Sequence, residues 1–484
     1  MTIKTPGPRG LPRARRVGAC VLLAASLAVA VPGTAHAATS YPSDTTPPDL
    51  VSLLSGYTSY WASSGVNDLH GTVKNATVLQ RDDALTVWIN QNATKQQQFK
   101  ALQDAEYQTT DGTAYDQSVT VSTALGSVLG PLYVKGRTSG ALPLTSALIN
   151  SSNGTSGAYV STGTAKAAFS HPRPYLPSDA SAAAVAGDSA DCAPSKVNGS
   201  SQQTIRLGKS YADAKGNLKI SRLAPVTDTT HQFSPADVTL DPGYGTVGIC
   251  TGGSFPSGHT TTAYEAGITL ATLLPELAPE ILARASEAGN NRIVLGVHYP
   301  LDIMGGRIDG EAALAARWSD KTYRTKVLEP ARQELLSYFT KTTGTSLATA
   351  IKHQKAYTSN PYGGRKMPGG TAQVVTDRKS AVKVYRERMT YGFARSGARN
   401  QKASVPTGAE NLLITTFPTL TAAQRVSVLA QTRIASGYPL DSVQGCSWER
   451  LNLAAATSAT VRLERHGKVS VVSTGGTAKV LRRH

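Results

Sequence analysis

The chain has 484 residues, of which 40% are hydrophobic and 6% aromatic, and its formal net charge is +17. This length and hydrophobic content allow a sizeable core and two or three domains. The positive charge is spread along the chain, without zinc-finger spacing, an aromatic RNA-binding motif or a basic block, and this argues against a nucleic-acid partner.

The first 37 residues have the pattern of a secretory signal. Five basic residues, the last two being Arg15 and Arg16, precede an apolar run over Val17–Val31, and Ala35-His36-Ala37 is a small-residue cleavage site. The apolar run is short for a membrane span of about 20 residues, and no later run reaches that length. We therefore expect cleavage near Ala37, a secreted or cell-envelope exterior (periplasmic) location, and no transmembrane segment in the mature chain.

Three cysteines lie beyond the signal, at Cys192, Cys250 and Cys446. An exported protein meets an oxidising compartment, where disulfides persist. Three cysteines allow three single pairings, and sequence alone does not choose among them. Because Cys192 and Cys250 flank the loop between two segments rich in candidate site residues, we expect these two to pair and Cys446 to stay single.

Several stretches before residue 170 are predicted to be helical, and a long loop follows them. Residues 38–150 start as a Ser/Thr/Pro-rich leader and then carry apolar residues at helical spacing over Asp82–Asn90 and Lys95–Tyr107. A further helix is predicted over Gly163–Phe169, before two prolines that break it. The loop that follows, from 177 to about 255, is predicted to hold a small hairpin near Lys219–Leu223.

The middle of the chain predicts a run of helices separated by short breaks. Apolar spacing predicts helices over Gly258–Leu274 and Pro279–Ala288, and Gly289-Asn290-Asn291 is typical of a turn. A short apolar segment, Arg292–Val297, is expected to be helical as well. After Tyr299-Pro300, a helix is predicted from Asp302 to about Trp318.

The C-terminal region, residues 321–484, is predicted to be an accessory α+β region. A helix is expected from Lys326 to Thr340, followed by a Gly/Pro/basic loop over 357–371. Val461–Val472 alternates apolar and polar residues around His466-Gly467, which is the pattern of a β-hairpin.

The segment Arg292–Asp302 carries a histidine and a carboxylate at helical spacing. His298 and Asp302 are four residues apart and would face each other on a helix. A carboxylate on one ring nitrogen fixes the histidine tautomer and leaves the other nitrogen free as a nucleophile. Arg292 lies upstream, and its guanidinium is suited to bind the oxygens of a tetrahedral anion.

Two earlier segments carry further anion-binding groups. In Pro256–Thr260, the backbone N–H groups of Ser257 and Gly258 and the Ser257 hydroxyl would lie at a helix start, where anions bind well. His259 follows and could protonate a leaving oxygen. Lys166 and Arg173 are seven residues apart, about two helical turns, so both cations could face one point.

The order and spacing of these segments resemble the type 2 phosphatidic acid phosphatase superfamily. The family signature is Lys, six residues and Arg-Pro; then Pro-Ser-Gly-His; then Arg, five residues, His, three residues and Asp. All of these spacings are met by Lys166/Arg173-Pro174, Pro256–His259 and Arg292/His298/Asp302. Asn291 departs from the pattern, because the family has Ser before the Arg. The resemblance covers about residues 160–320 and is closest to the secreted non-specific acid phosphatases.

The resemblance implies a mainly α fold, a helical bundle of the acid phosphatase/vanadium haloperoxidase type, with the three motifs in a core over residues 151–320. It implies that His298 attacks phosphorus and forms a phosphohistidine, that Asp302 orients His298, and that His259 protonates the leaving alcohol. The implied phosphate-binding groups are Lys166, Arg173, Ser257, Gly258 and Arg292. No metal or other cofactor is implied, and His171 is expected to support the site or contact substrate.

The function predicted from these residues is a secreted, metal-independent acid phosphatase acting on a small phosphorylated substrate. A first alternative within the same superfamily is a vanadium haloperoxidase, which would hold vanadate as its cofactor in the same pocket. A second alternative is a non-catalytic surface protein that binds polyanions, for which loss of one of the two site histidines is expected.

Overall fold

The structure is a computed structural model that describes residues 41–107, 117–149, 159–402, 404–441 and 447–482. About 51% of the chain is helical and the sheets are small, which confirms the predicted mainly α fold. The predicted signal segment and Cys446 lie outside the described residues. The predicted domain bounds stay predictions.

The helices of seven residues or more are α1 (Ala76–Asn92), α2 (Lys95–Glu106), α3 (Leu129–Thr138), α4 (Pro143–Ile149), α5 (Gly163–Phe169), α6 (Ser200–Arg206), α7 (Gly258–Leu273), α8 (Ala278–Val294), α9 (Pro300–Ser319), α10 (Glu329–Thr343), α11 (Leu347–His353), α12 (Arg378–Thr390) and α13 (Ala422–Thr432). Many begin where the sequence offers a cap. The side-chain oxygens of Asn75, Thr94 and Ser257 each accept a hydrogen bond from the backbone N–H three residues on.

The strands are β1 (Trp61–Ala62), β2 (Thr72–Val73), β3 (Val226–Asp228), β4 (Val238–Leu240), β5 (Thr460–Leu463), β6 (Val469–Ser473) and β7 (Lys479–Arg482). The first two pairs are antiparallel, and β5 lies between antiparallel β6 and parallel β7. The C-terminal hairpin predicted over Val461–Val472 is therefore present as β5 and β6. The hairpin predicted near Lys219–Leu223 is displaced: an isolated antiparallel bridge joins Ala212 and Leu218 just before it, and the strand pair β3 and β4 follows it.

Helix α8 lies at the centre of the fold and is buried along its whole length, with α7 and α9 packed against it. Three of its buried charges, on Glu280, Arg284 and Glu287, are paired with side chains of other elements, as burial of a charge requires. Arg284 Nη1 donates to Asp104 Oδ2 of α2 at 2.9 Å, and Glu287 Oε1 accepts from Lys100 Nζ at 3.2 Å. Helix α8 is thus held in place by apolar packing against α7 and α9 and by ion pairs with α2.

The turn predicted at Gly289-Asn290-Asn291 is wrong, because α8 continues through these residues to Val294. A Cβ on Gly289 would lie 2.9 Å from Thr260 Cγ2 and 3.0 Å from Ile303 Cγ2. Glycine is therefore needed here for the close approach of α7 and α9. Asn291 Nδ2 donates to Asp104 Oδ2 at 2.7 Å, so its amide serves packing between helices instead of a turn.

The disulfide predicted between Cys192 and Cys250 is present, with the two Cα atoms 5.4 Å apart. Cys250 ends the short helix Val247–Cys250, a few residues before the Pro-Ser-Gly-His segment. The disulfide therefore joins the long loop after α5 to the chain that leads into α7.

Within the described ranges, no single helix has the length and apolarity needed to cross a bilayer. Helix α7 and the segment Pro275–Val294 pass that test only when taken together, as a pair bent by 118°.

Candidate active site

The three motif segments converge on one cavity of about 400 Å³. Helix α5 carries Lys166, and the loop that follows it carries Arg173. The N-terminus of α7 contributes Gly258 and His259, and the end of α8 contributes Arg292. His298 lies in the short connection from α8 to α9 and completes the wall.

His298 and Asp302 form a buried pair at the start of α9. His298 Nδ1 lies 3.0 Å from Asp302 Oδ2, and the same oxygen accepts from the backbone N–H of Tyr299 at 2.9 Å. His298 is 1% exposed and Asp302 is fully buried. Burial raises the pKa of Asp302, while the Tyr299 N–H lowers it.

Arg173 lies against the other side of the His298 ring. Its Nη1 is 3.1 Å from His298 Nε2 and also donates to the carbonyl oxygen of Val297 at 3.1 Å. Because a guanidinium only donates, His298 Nε2 is an acceptor and its proton is on Nδ1, facing Asp302. Burial, and then Arg173, hold the pKa of His298 well below its usual range. The imidazole is therefore neutral, with its lone pair on the cavity side.

Lys166 is half-buried and is held by the chain that leads into the Pro256–Thr260 segment. Its Nζ donates to the carbonyl oxygens of Gly253 at 2.9 Å and Ser254 at 3.3 Å. Burial and the charge of Arg173 lower its pKa well below the usual value. Gly258 allows α5 to approach this closely, since a Cβ there would lie 3.0 Å from Thr162 Oγ1.

Ser257 is placed differently from the other predicted phosphate-binding residues. It is fully buried, its backbone N–H donates to the carbonyl oxygen of Asp302 at 3.1 Å, and its Oγ accepts from Thr260 N at 3.3 Å. Its polar groups thus fix the start of α7 against α9. The cavity wall at this turn is formed by Gly258 and His259.

His259 is half-buried in the cavity wall, and one of its ring nitrogens hydrogen-bonds the backbone of Ala105 in α2. Burial lowers its pKa well below the usual value, and the cations Arg292, Arg173 and Lys166 lower it further. In the absence of an anion, the positive potential of the cavity therefore opposes protonation of His259.

Arg292 is 2% exposed in the last turn of α8, where a cation also complements the helix dipole. Its charge acts on several neighbours, lowering the pKa values of His259 and His298. It also opposes the burial that raises the pKa of Glu106 to about 7.

The sequence patterns did not single out Glu265, which also lines the cavity. It is 4% exposed, its Oε1 has no hydrogen-bond partner, and burial raises its pKa well above the usual value. Glu265 follows Gly258 by seven residues, so a heptad reading of α7 from Gly258 could have placed it on the cavity face.

His171, expected from the sequence to support the site or contact substrate, lies behind the histidine–aspartate pair, whereas Ser254, which links the two, was not singled out. Ser254 Oγ lies 3.4 Å from Asp302 Oδ1, and His171 Nδ1 lies 3.2 Å from Ser254 Oγ. In the part of the chain that the structure describes, no three His, Cys, Asp or Glu side chains are grouped as a metal site requires.

Comparison with known proteins gives one family for this region. Residues 146–326 match the PAP2 superfamily. The chain is 40% identical over 88 residues to an acid phosphatase of Zymomonas mobilis, covering 18% of this chain and 33% of that protein. It is 34% identical over 82 residues to a non-specific acid phosphatase of Providencia stuartii, covering 17% and 33%.

A non-specific acid phosphatase of Salmonella typhi is 28% identical over 135 residues, which are 28% of this chain and 50% of that protein. The chain therefore spans about a third to a half of the length of the curated relatives it matches. All of the predicted catalytic and phosphate-binding residues fall inside the matched range 146–326.

Proposed function

We propose, from the PAP2 superfamily domain at residues 146–326, that the chain is a phosphatase that hydrolyses phosphomonoesters through a phosphohistidine at His298. One observation carries the proposal. A neutral His298, oriented by Asp302 at 3.0 Å, presents Nε2 to Arg173 in a cavity that Lys166 and Arg292 also line. A nucleophile and three cations facing one cavity are what phosphoryl transfer needs.

The first chemical step begins when the substrate phosphate takes over the guanidinium of Arg173. This releases the lone pair of His298 Nε2, which attacks phosphorus as the bond to the leaving oxygen breaks. His259 gives its proton to that oxygen, and the alcohol leaves. The positive charge left on the phosphorylated ring is balanced by Asp302 at Nδ1.

The second step returns the enzyme to its starting state. A water molecule gives a proton to His259 and attacks phosphorus, the N–P bond breaks, and inorganic phosphate leaves. Lys166, Arg173, Arg292 and the N-terminus of α7 would stabilise the oxygens throughout. Because protein cations supply this charge, we propose that no metal ion is required.

The residues that line the rest of the cavity are suited to contact an uncharged organic leaving group. Beyond the cations, its walls contain apolar Val160 and Ile249, the hydroxyl-bearing Thr162 and Thr262, and Glu265. Beyond the three cations, the described residues of the cavity lining offer a second phosphate no further lysine or arginine, and burial raises the pKa of Glu265, which keeps its carboxyl neutral. We therefore propose monoesters of neutral alcohols as substrates, in preference to diphosphates.

The Cys192–Cys250 disulfide supports the predicted export of the protein, because such bonds persist in oxidising compartments. We propose that the protein acts outside the cytoplasm, after removal of residues 1–37.

The proposed function is tested by turnover of p-nitrophenyl phosphate, glycerol 2-phosphate and pyrophosphate, each with and without EDTA. We expect both monoesters to be hydrolysed, pyrophosphate to be poor, EDTA to have no effect, and vanadate to inhibit competitively. Vanadate-dependent bromide oxidation by peroxide without phosphatase turnover would favour the haloperoxidase instead. Binding of polyanions with neither activity would favour the non-catalytic alternative.

Anion binding is expected to bring a proton into the cavity. A bound dianion offsets the cations that depress the pKa of His259, so that pKa rises and His259 takes up a proton at mildly acidic pH. Calorimetric titration with sulfate, in two buffers of different ionisation enthalpy, measures this uptake. We expect net uptake for the wild type, less for His259→Asn, and no change for the surface variant His231→Ala. Net proton release by the wild type would contradict this account.

A further inference from the structure

A chain of buried hydrogen bonds runs behind the catalytic pair, away from the cavity. Gln202 Nε2 lies 2.8 Å from His171 Nε2, and His171 Nδ1 lies 3.2 Å from Ser254 Oγ. Ser254 Oγ donates to Asp302 Oδ1 at 3.4 Å, and the other carboxylate oxygen contacts His298 Nδ1 at 3.0 Å. The chain thus reaches the proposed nucleophile from α6, which contributes no residue to the cavity wall.

The donor and acceptor groups of these residues allow the hydrogen bonds to run in one direction only, from Gln202 towards Asp302. An amide nitrogen only donates, so Gln202 makes His171 Nε2 an acceptor and places the ring proton on Nδ1. That proton points to Ser254 Oγ, which leaves the serine hydroxyl proton for Asp302. An ionised carboxylate only accepts, so Asp302 accepts one hydrogen bond from the Ser254 hydroxyl and another from His298 Nδ1–H.

The surroundings keep His171 in this state. Its ring is fully buried and packs edge-on against Trp61, with ring centroids 4.6 Å apart, and against Tyr299, at 5.1 Å. Burial, aided by the charge of Arg206, lowers the pKa of His171 to about 3. The imidazole is therefore neutral over the working range of an acid phosphatase, and its single proton can stay on Nδ1.

Ser254 also connects this series of hydrogen bonds to Lys166, one of the proposed phosphate-binding residues. Its backbone N–H donates to the carbonyl oxygen of His171 at 2.8 Å, and its own carbonyl oxygen accepts from Lys166 Nζ at 3.3 Å. The residue is fully buried. Its backbone thus holds Lys166 while its hydroxyl contacts Asp302, and a side-chain substitution can remove the second contact without the first.

We propose that Ser254, His171 and Gln202 are positioning residues that hold Asp302 ionised and aligned behind His298. The inference rests on the proposed phosphatase function. Burial raises the pKa of Asp302, and the Ser254 hydrogen bond lowers it, so loss of the hydroxyl shifts Asp302 toward its protonated form. The charged and titratable groups that act on Asp302 or respond to it are Lys166, Arg173, His298, Asp82, Tyr57 and Tyr299.

The activity test compares Ser254→Ala with Ser178→Ala. Ser178 is also buried, and its Oγ donates to the carbonyl oxygen of Gly216 at 2.7 Å, away from Asp302. For Ser254→Ala we expect kcat on p-nitrophenyl phosphate to fall about 10-fold with KM little changed. We also expect the acidic limb of the kcat profile to move to higher pH, because activity is lost when Asp302 is protonated. Ser178→Ala should leave kcat and the acidic limb of the kcat profile unchanged.

A second measurement does not depend on activity. In protein labelled with ¹⁵N-histidine, NMR should find His171 protonated on Nδ1 in the wild type, and no longer only on Nδ1 in Gln202→Leu. A wild-type protein with this tautomer but no phosphatase turnover would overturn the proposed function and leave the hydrogen-bond chain standing. The proposed positioning role is overturned if wild-type His171 is protonated on Nε2. It is also overturned if Ser254→Ala and Ser178→Ala have the same kcat and the same acidic limb in the pH profile of kcat.

Discussion

The His298→Ala variant is expected to lose about 10⁴-fold or more in kcat on p-nitrophenyl phosphate, the scale seen when a nucleophile that acts as a unit with its partners is removed. The variant has no atom that can form the N–P bond, while Lys166, Arg173 and Arg292 still surround the cavity. We therefore expect it to retain sulfate binding in the calorimetric titration even though turnover is lost.

The matched control is His231→Ala. His231 Nε2 lies 2.8 Å from Asp237 Oδ1, so this histidine is also paired with an aspartate, but the pair is exposed at the surface. Its removal should leave kcat and KM unchanged. If His298→Ala kept a tenth of the wild-type kcat while remaining folded, His298 would not be the nucleophile.

The His259→Asn variant is expected to separate the two chemical steps. Hydrolysis of glycerol 2-phosphate should fall by about 10³-fold, because its alkoxide leaves poorly without a proton. p-Nitrophenolate needs no such proton, so phosphorylation of His298 by p-nitrophenyl phosphate should continue. Activation of water by His259 is lost with both substrates, so the phosphoenzyme should accumulate when p-nitrophenyl phosphate is the substrate.

Rapid mixing of His259→Asn with p-nitrophenyl phosphate measures this as a burst of one p-nitrophenolate per enzyme, followed by slow turnover. The trapped phosphate should be stable to base and labile to acid, as a phosphohistidine is, and mass spectrometry should place it on His298. Equal losses on both substrates, with no burst, would contradict the role given to His259.

The sequence predicted the parts of this site that depend on short spacings. His298 and Asp302, four residues apart, form the expected pair, and α7 begins after Ser257 as expected, although the Ser257 hydroxyl caps the helix and does not face the cavity. The contact between Arg173 and His298 Nε2 joins residues 125 apart. It depends on the path of the loop after α5, which no local pattern determines.

Local patterns also failed where tertiary packing decides the conformation. Gly289-Asn290-Asn291 has the composition of a turn, yet burial between α7 and α9 keeps it helical. The contacts of Ser254 with His171 and Asp302 were not predicted, because three separate segments meet at that serine. In each case the deciding partner is distant along the chain and close in space.

The pairing of the buried charges also determines how much of the chain an active fragment must contain. Inside the family-matched range 146–326, Arg284 pairs with Asp104, which precedes the range, whereas Arg307 contacts both Glu311 inside the range and Glu449 beyond it. Excising the matched range would remove the closest carboxylate partner of the buried Arg284, and breaking a buried pair costs about 3–5 kcal/mol. We therefore expect the smallest autonomous unit to extend beyond residues 146–326, because recombinant boundaries drawn at the edges of that range would remove a counter-ion from its core.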